Sequence, residues 1–252
     1  MRLSHLTWPD AEAALSRHPA VFLPVGSIEQ HGPMGLIGTD ALCAETLALA
    51  AAERVGAVVA PPVAYTPAPF NMAFPGTVSV SAQTFAALVR EVVQSLAVHG
   101  VSGVYVVNGH GANLAPLKTL SETMSSPKLK VRSWWDFKPV NAIRQERFGV
   151  HEGMHATPSE VAITMAVVGP LPVPAEAAEP PAPLPPGFIE AHAGDRHGPP
   201  DAHRAAFPDG RVGSHSALAT EEVGRALVDA AGAAIAEDFL AFCTVLGWQS
   251  SA

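Results

Sequence analysis

Four short stretches of the chain combine residue types whose spacing could do chemistry. The first is Gly26-Ser27-Ile28-Glu29-Gln30-His31-Gly32-Pro33, followed by Gly38-Thr39-Asp40. Alternate residues of an extended chain point the same way, so Glu29 and His31 project together. The glycines and Pro33 let the following loop turn tightly, so Asp40 can return over the same point. Two carboxylates and an imidazole suit a divalent Zn, Mn or Fe ion. Taken alone, the same residues also fit a hydrogen-bonded loop histidine and an ordinary carboxylate at a helix start.

The second stretch is Val106-Val107-Asn108-Gly109-His110-Gly111-Ala112-Asn113. A buried strand runs into a Gly-His-Gly turn that presents one imidazole; alone, it also reads as a glycine-rich connection with an incidental histidine. The third, His151 to Glu160, places His155 just before a turn and Glu160 in the first turn of the helix that Thr157 or Ser159 caps. The helix dipole by itself favours a carboxylate there. A histidine upstream, His155 ahead of His151, adds an acid/base or ligand pair. The fourth, Asn71 to Thr77, contains Phe74-Pro75-Gly76-Thr77. That is plain turn chemistry, or a pocket wall made of backbone groups and Phe74.

The elements that must position these residues alternate. Val21 to Gly26, Ala57 to Val63, Gly103 to Val107 and Lys128 to Ser133 read as strands. Asp40 to Val55, with Thr39 as cap, Ser81 to His99 and Leu114 to Met124 read as helices. Near-continuous apolar strands alternating with helices predict an α/β fold, with a mostly parallel central sheet covered by helices on both faces. Ligands of such sheets bind outside the carboxyl ends of the strands, where the first two motifs fall. Gly169 to Pro186 is proline-rich and reads as an extended connector. Gly187 to Gly213 is polar and histidine-containing, an ordered loop or flap. Thr220 to Leu246 returns to helix, capped by Thr220.

Bulk properties narrow the function classes. The chain has 252 residues, 48% of them hydrophobic, which excludes disorder throughout. Its net charge of -8 and lack of a dense basic patch argue against nucleic acid as a partner. No apolar run reaches the roughly 18 residues of a membrane span, and the N-terminus lacks a secretory core. Two cysteines, Cys43 and Cys243, sit in apolar helix-like stretches and read as buried free thiols, so a reducing cytoplasm is expected. No Gly-x-Ser-x-Gly elbow is present, which disfavours a serine hydrolase.

Taken together, the motifs resemble the creatininase family in order and spacing. The resemblance rests on Leu23 to Pro33, Gly38-Thr39-Asp40, Phe74 to Thr77, Asn108-Gly109-His110-Gly111 and His155-Ala156 with Glu160. It runs from about residue 5 to residue 168, with a weaker continuation at Gly213 to Gly224. The resemblance implies a single domain over 1–252 and a dinuclear centre of Zn, Mn or Fe. Asp40 would bridge the ions, Glu29 and His110 would complete one ion's ligands and His31 the other's, and Glu160 would be the remaining carboxylate ligand. His155 would act beside the substrate as acid/base, together with Glu160. Asn71, Phe74, Gly76, Thr77, Gly111 and Ala112 would line the substrate pocket. The family also implies a homo-oligomer, commonly a hexamer.

The expected activity is hydrolysis of an amide, lactam or formamide C–N bond by a hydroxide bridging the two ions, since such ions make water nucleophilic near neutral pH. The chain departs from the family pattern at Met34 and Asn71, where histidines are usual, and at Ala112, where creatinine-specific members carry a glutamate. A small amide other than creatinine is therefore the expected substrate. The alternatives are a relative that trims a modified peptide and a binding protein that keeps the fold without turnover.

Overall fold

In the computed structural model, which describes residues 1–249, three parallel strands form one sheet in the order β1 (Ala20–Val25), β2 (Gly103–Asn108), β3 (Lys128–Ser133). Their register is level: Val25 pairs with Asn108, and Asn108 with Ser133. The loops that leave β1 and β2 therefore start side by side at one edge. Every residue of β1 and β2 is buried, as expected for strands covered on both faces.

The covering helices are α1 (Trp8–Leu15), α2 (Thr39–Val55), α3 (Ala82–Val98), α4 (Leu114–Thr123), α5 (Lys138–Arg147) and α6 (Pro158–Val168). Three short ones follow, α7 (Ala175–Ala178), α8 (Phe188–Ala191) and α9 (Pro200–Ala206), before the long α10 (Glu221–Val245). Strand side chains alternate between the two faces. Phe22, Tyr105 and Val107 pack with Leu47 of α2, Ile163 of α6 and Phe239 of α10. Phe22 stacks on Phe239 with ring centroids 4.2 Å apart. Val21, Leu23, Val104 and Val106 pack instead with Phe85 and Val89 of α3 and Leu117 of α4. Burying side chains of this size contributes roughly 1.5–3 kcal/mol each, so these two layers hold the sheet edge in place.

Three expectations are corrected. The stretch Ala57 to Val63 is not a strand: it runs along β1 through single bridges at Phe22–Val59 and Val25–Val63. Pro61 and Pro62 have no N–H to continue a ladder. Thr39 is not the cap of α2; Gly38 holds that position, and the Thr39 hydroxyl donates to the Leu36 carbonyl at 2.7 Å. The stretch 169–213 is not wholly irregular, since it contains α7, α8 and α9. By contrast Thr157 and Thr220 cap their helices as expected, and Ser81 stands just outside α3 as its cap. Cys43 and Cys243 are free and buried. Among the described residues no helix is long and apolar enough to cross a membrane.

Candidate metal centre

Both strand ends reach the site through glycines. A Cβ on Gly26 would lie 2.3 Å from the backbone nitrogen of Ala41, and one on Gly109 2.4 Å from the carbonyl oxygen of Asp40. The ends of β1 and β2 thus press against the first turn of α2. That turn presents Asp40 where the helix dipole favours a carboxylate. Beyond Gly26 the chain loops out and closes with the Glu29 N–H donating to the Ile37 carbonyl at 2.9 Å. Beyond β2, Asn108 locks the Gly-His-Gly turn by donating to the His110 carbonyl at 2.9 Å and to the Ser133 hydroxyl at 3.1 Å.

Glu29, His31, Asp40, His110, His155 and Glu160 are all buried and converge there. His31 Nε2 lies 2.9 Å from Asp40 Oδ1 and 3.9 Å from Glu160 Oε1. His110 Nδ1 lies 3.0 Å from Glu29 Oε1 and 3.2 Å from Asp40 Oδ2. The two imidazoles therefore sit on opposite oxygens of one carboxylate. Each has its other nitrogen committed to a backbone carbonyl: His31 Nδ1 donates to Glu29 at 3.1 Å, and His110 Nε2 to Pro67 at 2.8 Å. Such a bond fixes the tautomer and leaves the facing nitrogen available as a ligand.

The charges follow from this crowding. Burial pulls His31 down, but Asp40 and Glu160 outweigh it and carry it up to about 10. Burial likewise opposes Glu29 and Asp40 in His110, whose proton is held well above the ordinary range. Asp40 and Glu29 are held below the usual carboxylate range against burial, chiefly by His31 and His110 respectively. Glu160 is pushed up to about 7 by burial, with His31 opposing. His155 is pulled down to about 3 by burial, with Glu29 opposing and His31 adding.

The donor chemistry fits divalent metal. Glu29, Asp40 and His110 form one group of ligand atoms mutually within 4.8 Å, and His31, Asp40 and Glu160 form a second. Asp40 belongs to both. Buried Glu29 Oε1 and Asp40 Oδ2 make no well-formed hydrogen bond and share the single nearby donor His110 Nδ1, a shortfall that a cation would meet. A third group, Glu29, His31 and His155, overlaps the other two.

A cavity of about 330 Å³ opens on this cluster, walled by Gly111, Leu114, Trp134, Trp135, Arg144 and Asp195 besides the ligand candidates. Glu160 also caps its own helix: its side chain accepts from the Thr157 N–H, and its N–H donates to Thr157 Oγ1 at 3.2 Å. The capping geometry and the approach to His31 use the same carboxylate oxygen.

A family model described as Creatininase, creatinine amidohydrolase, matches residues 4–239. The chain belongs to the creatininase family. Creatinine amidohydrolase of Pseudomonas putida is 30% identical over 161 residues, covering 58% of this chain and 62% of that enzyme. The mycofactocin precursor peptide peptidase of Mycolicibacterium smegmatis is 42% identical over 105 residues, 39% of this chain and 42% of that protein. The chain thus spans less than two thirds of either curated relative in these matches. A crystal structure of creatinine amidohydrolase superposes with a TM-score of 0.76 at 25% identity, over 94% of this chain and 96% of that one.

In this member of the creatininase family the expected pocket residues land in different places. Gly111 lines the cavity. Ala112 does not; its backbone N–H meets Asp195. Asn71, Phe74, Gly76 and Thr77 are not cavity walls either. Asn71 donates to Glu29 Oε2 at 2.8 Å and accepts from Gln30 Nε2 at 3.0 Å, and Thr77 Oγ1 accepts from the Gln30 N–H at 3.1 Å. These two side chains brace the Glu29–His31 loop, and Asn71 Nδ2 also comes within 3.5 Å of His155 Nε2. Phe74 is buried beneath Arg204, and Gly76 is exposed with φ +96°. His151 is exposed and outside the cluster, whereas His155 is inside it.

Two contributors carried no sequence signal strong enough to single them out. Gln30 ties the loop to Asn71 and to the Gly210 carbonyl. Asp195 reaches the cavity from the polar stretch after α8, with Oδ2 3.7 Å from His110 Nδ1. Burial pushes its carboxyl up to about 6, with His110 opposing.

Proposed function

We propose that this chain is a two-metal amidohydrolase that cleaves the C–N bond of an amide, lactam or formamide other than creatinine. The observation that carries the reading is Asp40, whose two oxygens face His31 and His110 with Glu29 and Glu160 on the outer sides. Glu29, Asp40 and His110 would hold one ion, and His31, Asp40 and Glu160 the other. When bound, Zn, Mn or Fe ions supply Lewis acidity toward the amide oxygen and lower the pKa of water.

The remaining steps belong to the chain's own side chains. His155 Nε2 donates to the Gln30 carbonyl at 2.7 Å, so Nδ1 carries the lone pair. Nδ1 faces Glu29 Oε1 at 3.7 Å, too far for a hydrogen bond, and is free to take a proton and pass it to the leaving nitrogen. Trp134 and Trp135 wall the cavity with indole surface, which limits water around the reacting amide.

Ala112 stands where creatinine-specific members carry a glutamate, and this departure supports a preferred substrate other than creatinine. A peptide-like substrate is the second reading. It is favoured by a groove of about 680 Å³ that shares Arg144, Gly153 and Ile189 with the site cavity, giving room for an extended chain beyond the scissile bond. Turnover of lactams, formamides and short peptides, with and without added metal, tests both readings. Metal-dependent cleavage of any class supports the hydrolase, and the preferred class chooses between them. Metal uptake without cleavage of any class would leave only a binding protein.

A further inference from the structure

Asp195 comes from a segment remote from the strand ends, yet its carboxylate closes the cavity beside them. The backbone turns through two consecutive left-handed residues there, Gly194 at φ +75° and Asp195 at φ +54°. A non-glycine residue rarely takes that conformation, and here it aims the side chain inward. The side chain is only 10% exposed. It sits directly over the Gly-His-Gly turn: a Cβ on Gly111 would lie 2.2 Å from Asp195 Oδ2, so the missing side chain of Gly111 is the space the carboxylate occupies.

The contacts of Asp195 leave its charge without a close partner. The Ala112 N–H meets the carboxylate. The nearest imidazole nitrogens are His110 Nδ1 at 3.7 Å and His197 Nε2 at 3.9 Å, both beyond hydrogen-bond length. His110 Nδ1 is already shared by Glu29 and Asp40. Asp195 also falls outside the groups whose ligand atoms converge within 4.8 Å, so it borders the candidate metal centre and is not part of it. Arg144, the one arginine or lysine in the cavity wall, is paired with Glu152 at 2.8 Å.

The geometry points to Asp195 as the specificity-determining carboxylate of this site, holding a positively charged nitrogen that the substrate carries beside its scissile amide. The inference rests on the amidohydrolase reading above. A buried carboxylate with open acceptor positions is satisfied by an ammonium or similar N–H donor and leaves an uncharged substrate at a disadvantage. The substrate class is then an amide with a cationic amine one or two bonds from its carbonyl, in preference to a neutral lactam or a plain formamide.

Binding of two isosteres tests this. Glycinamide carries an ammonium next to an amide, and propionamide has a methyl group in its place. Both are titrated by calorimetry into metal-loaded wild type, Asp195→Asn and Gly111→Ala, with metal content measured on the same samples. Wild type is expected to favour glycinamide by about 10- to 100-fold, the range of a hydrogen bond to a charged group. Both variants should lose that preference with metal content unchanged, Gly111→Ala because its Cβ displaces the carboxylate. Equal binding of the two amides by wild type, or a preference that survives Asp195→Asn, overturns the assignment. Loss of metal in Asp195→Asn overturns it too, since the residue would then be an ion ligand. A wild type that takes up no metal overturns the hydrolase reading and this one with it, whereas a metal-loaded wild type without cation preference overturns only this one.

Discussion

The loops after β1 and β2 and the segment between α7 and α10 meet at the same cavity by different means. In the first region each donor is oriented by a nearby backbone group. His31 is held by the carbonyl of Glu29, Asp40 by its helix start, and His110 by the Pro67 carbonyl and the Asn108 brackets. These constraints come with the strand ends and cannot relax without disturbing the sheet. In the second region Asp195 hangs on a turn between two short helices, and its nearest polar contacts are a backbone N–H and two distant imidazoles. Rigid placement suits ligands that must fix an ion within tenths of an ångström. A carboxylate on a loop suits recognition, where substrates differ and geometry can give.

The comparison breaks hardest at Asp40. If one carboxylate serves both ligand groups, Asp40→Ala should remove both ions, while Asp195→Ala should remove neither. Elemental analysis of the two purified variants shows this directly; an Asp40→Ala protein with a full complement of metal would end the shared-ligand picture. Next in size is His155→Ala. It should keep its metal and lose about 10²–10⁴-fold in rate, the usual contribution of a positioned acid or base. His151→Ala, exposed and remote, is the control, and a dead His151 variant beside an active His155 variant would reverse the assignment.

A smaller effect is expected behind the ligands. Asn71→Ala removes the donor that orients Glu29, which typically costs about 10–100-fold in metal affinity or activity. Chelator competition should place the loss at one ion and leave the other unchanged. Glu160→Gln separates the capping role from the ligand role within a single side chain. If only the cap matters, stability falls by at most about 1 kcal/mol and metal content holds. If Glu160 is a ligand, one ion is weakened and excess metal restores part of the rate.

The two regions also differ in how far their chemistry could be read along the chain. Glu29, His31, Asp40 and His110 lie at strand ends and a helix start, so period-two alternation, turn glycines and the parallel-sheet rule place them at one edge without long-range knowledge. Thr157 with Glu160 is a local capping pattern and was equally legible. The bracing role of Asn71 was not, because it depends on contacts with Glu29 and Gln30, 42 and 41 residues away along the chain, a tertiary fact without local pattern. Ala57 to Val63 has strand-like composition, but its prolines leave only isolated bridges to β1. α5 is hard to read for another reason: it is short and mostly polar, with only Val140 of its ten residues buried, so few apolar residues mark its inner face. Asp195 combines both difficulties, since a positive φ at a non-glycine residue has no sequence signature and its neighbours at Gly111 are far away along the chain.

The finest test of the rigid region uses pH. In the metal-free protein His31 titrates near 10 against an ordinary 6.5, and Asp40 lies below its ordinary 3.8. A histidine raised on folding contributes stability that is whole below its unfolded value and fades as pH climbs through the folded one. A carboxylate lowered on folding contributes above its unfolded value and fades as pH drops through the folded one. The pair is therefore most stabilising between about pH 4 and 6.5 in metal-free protein, and its contribution should decline from there toward pH 10. Metal reverses the slope, because an ion replaces the protons on His31 and His110 and binds more tightly as those protons become easier to lose. Thermal melts of chelator-stripped and metal-loaded protein from pH 6 to 9 should diverge, with the gain in Tm from metal growing as pH rises. Asp195→Asn should leave that divergence intact, because its carboxylate stands outside both ligand groups, while Asp40→Ala should abolish it. Parallel melting curves in wild type would mean that the ions, if bound, do not displace the His31 and His110 protons, and the ligand roles of both histidines would have to be withdrawn.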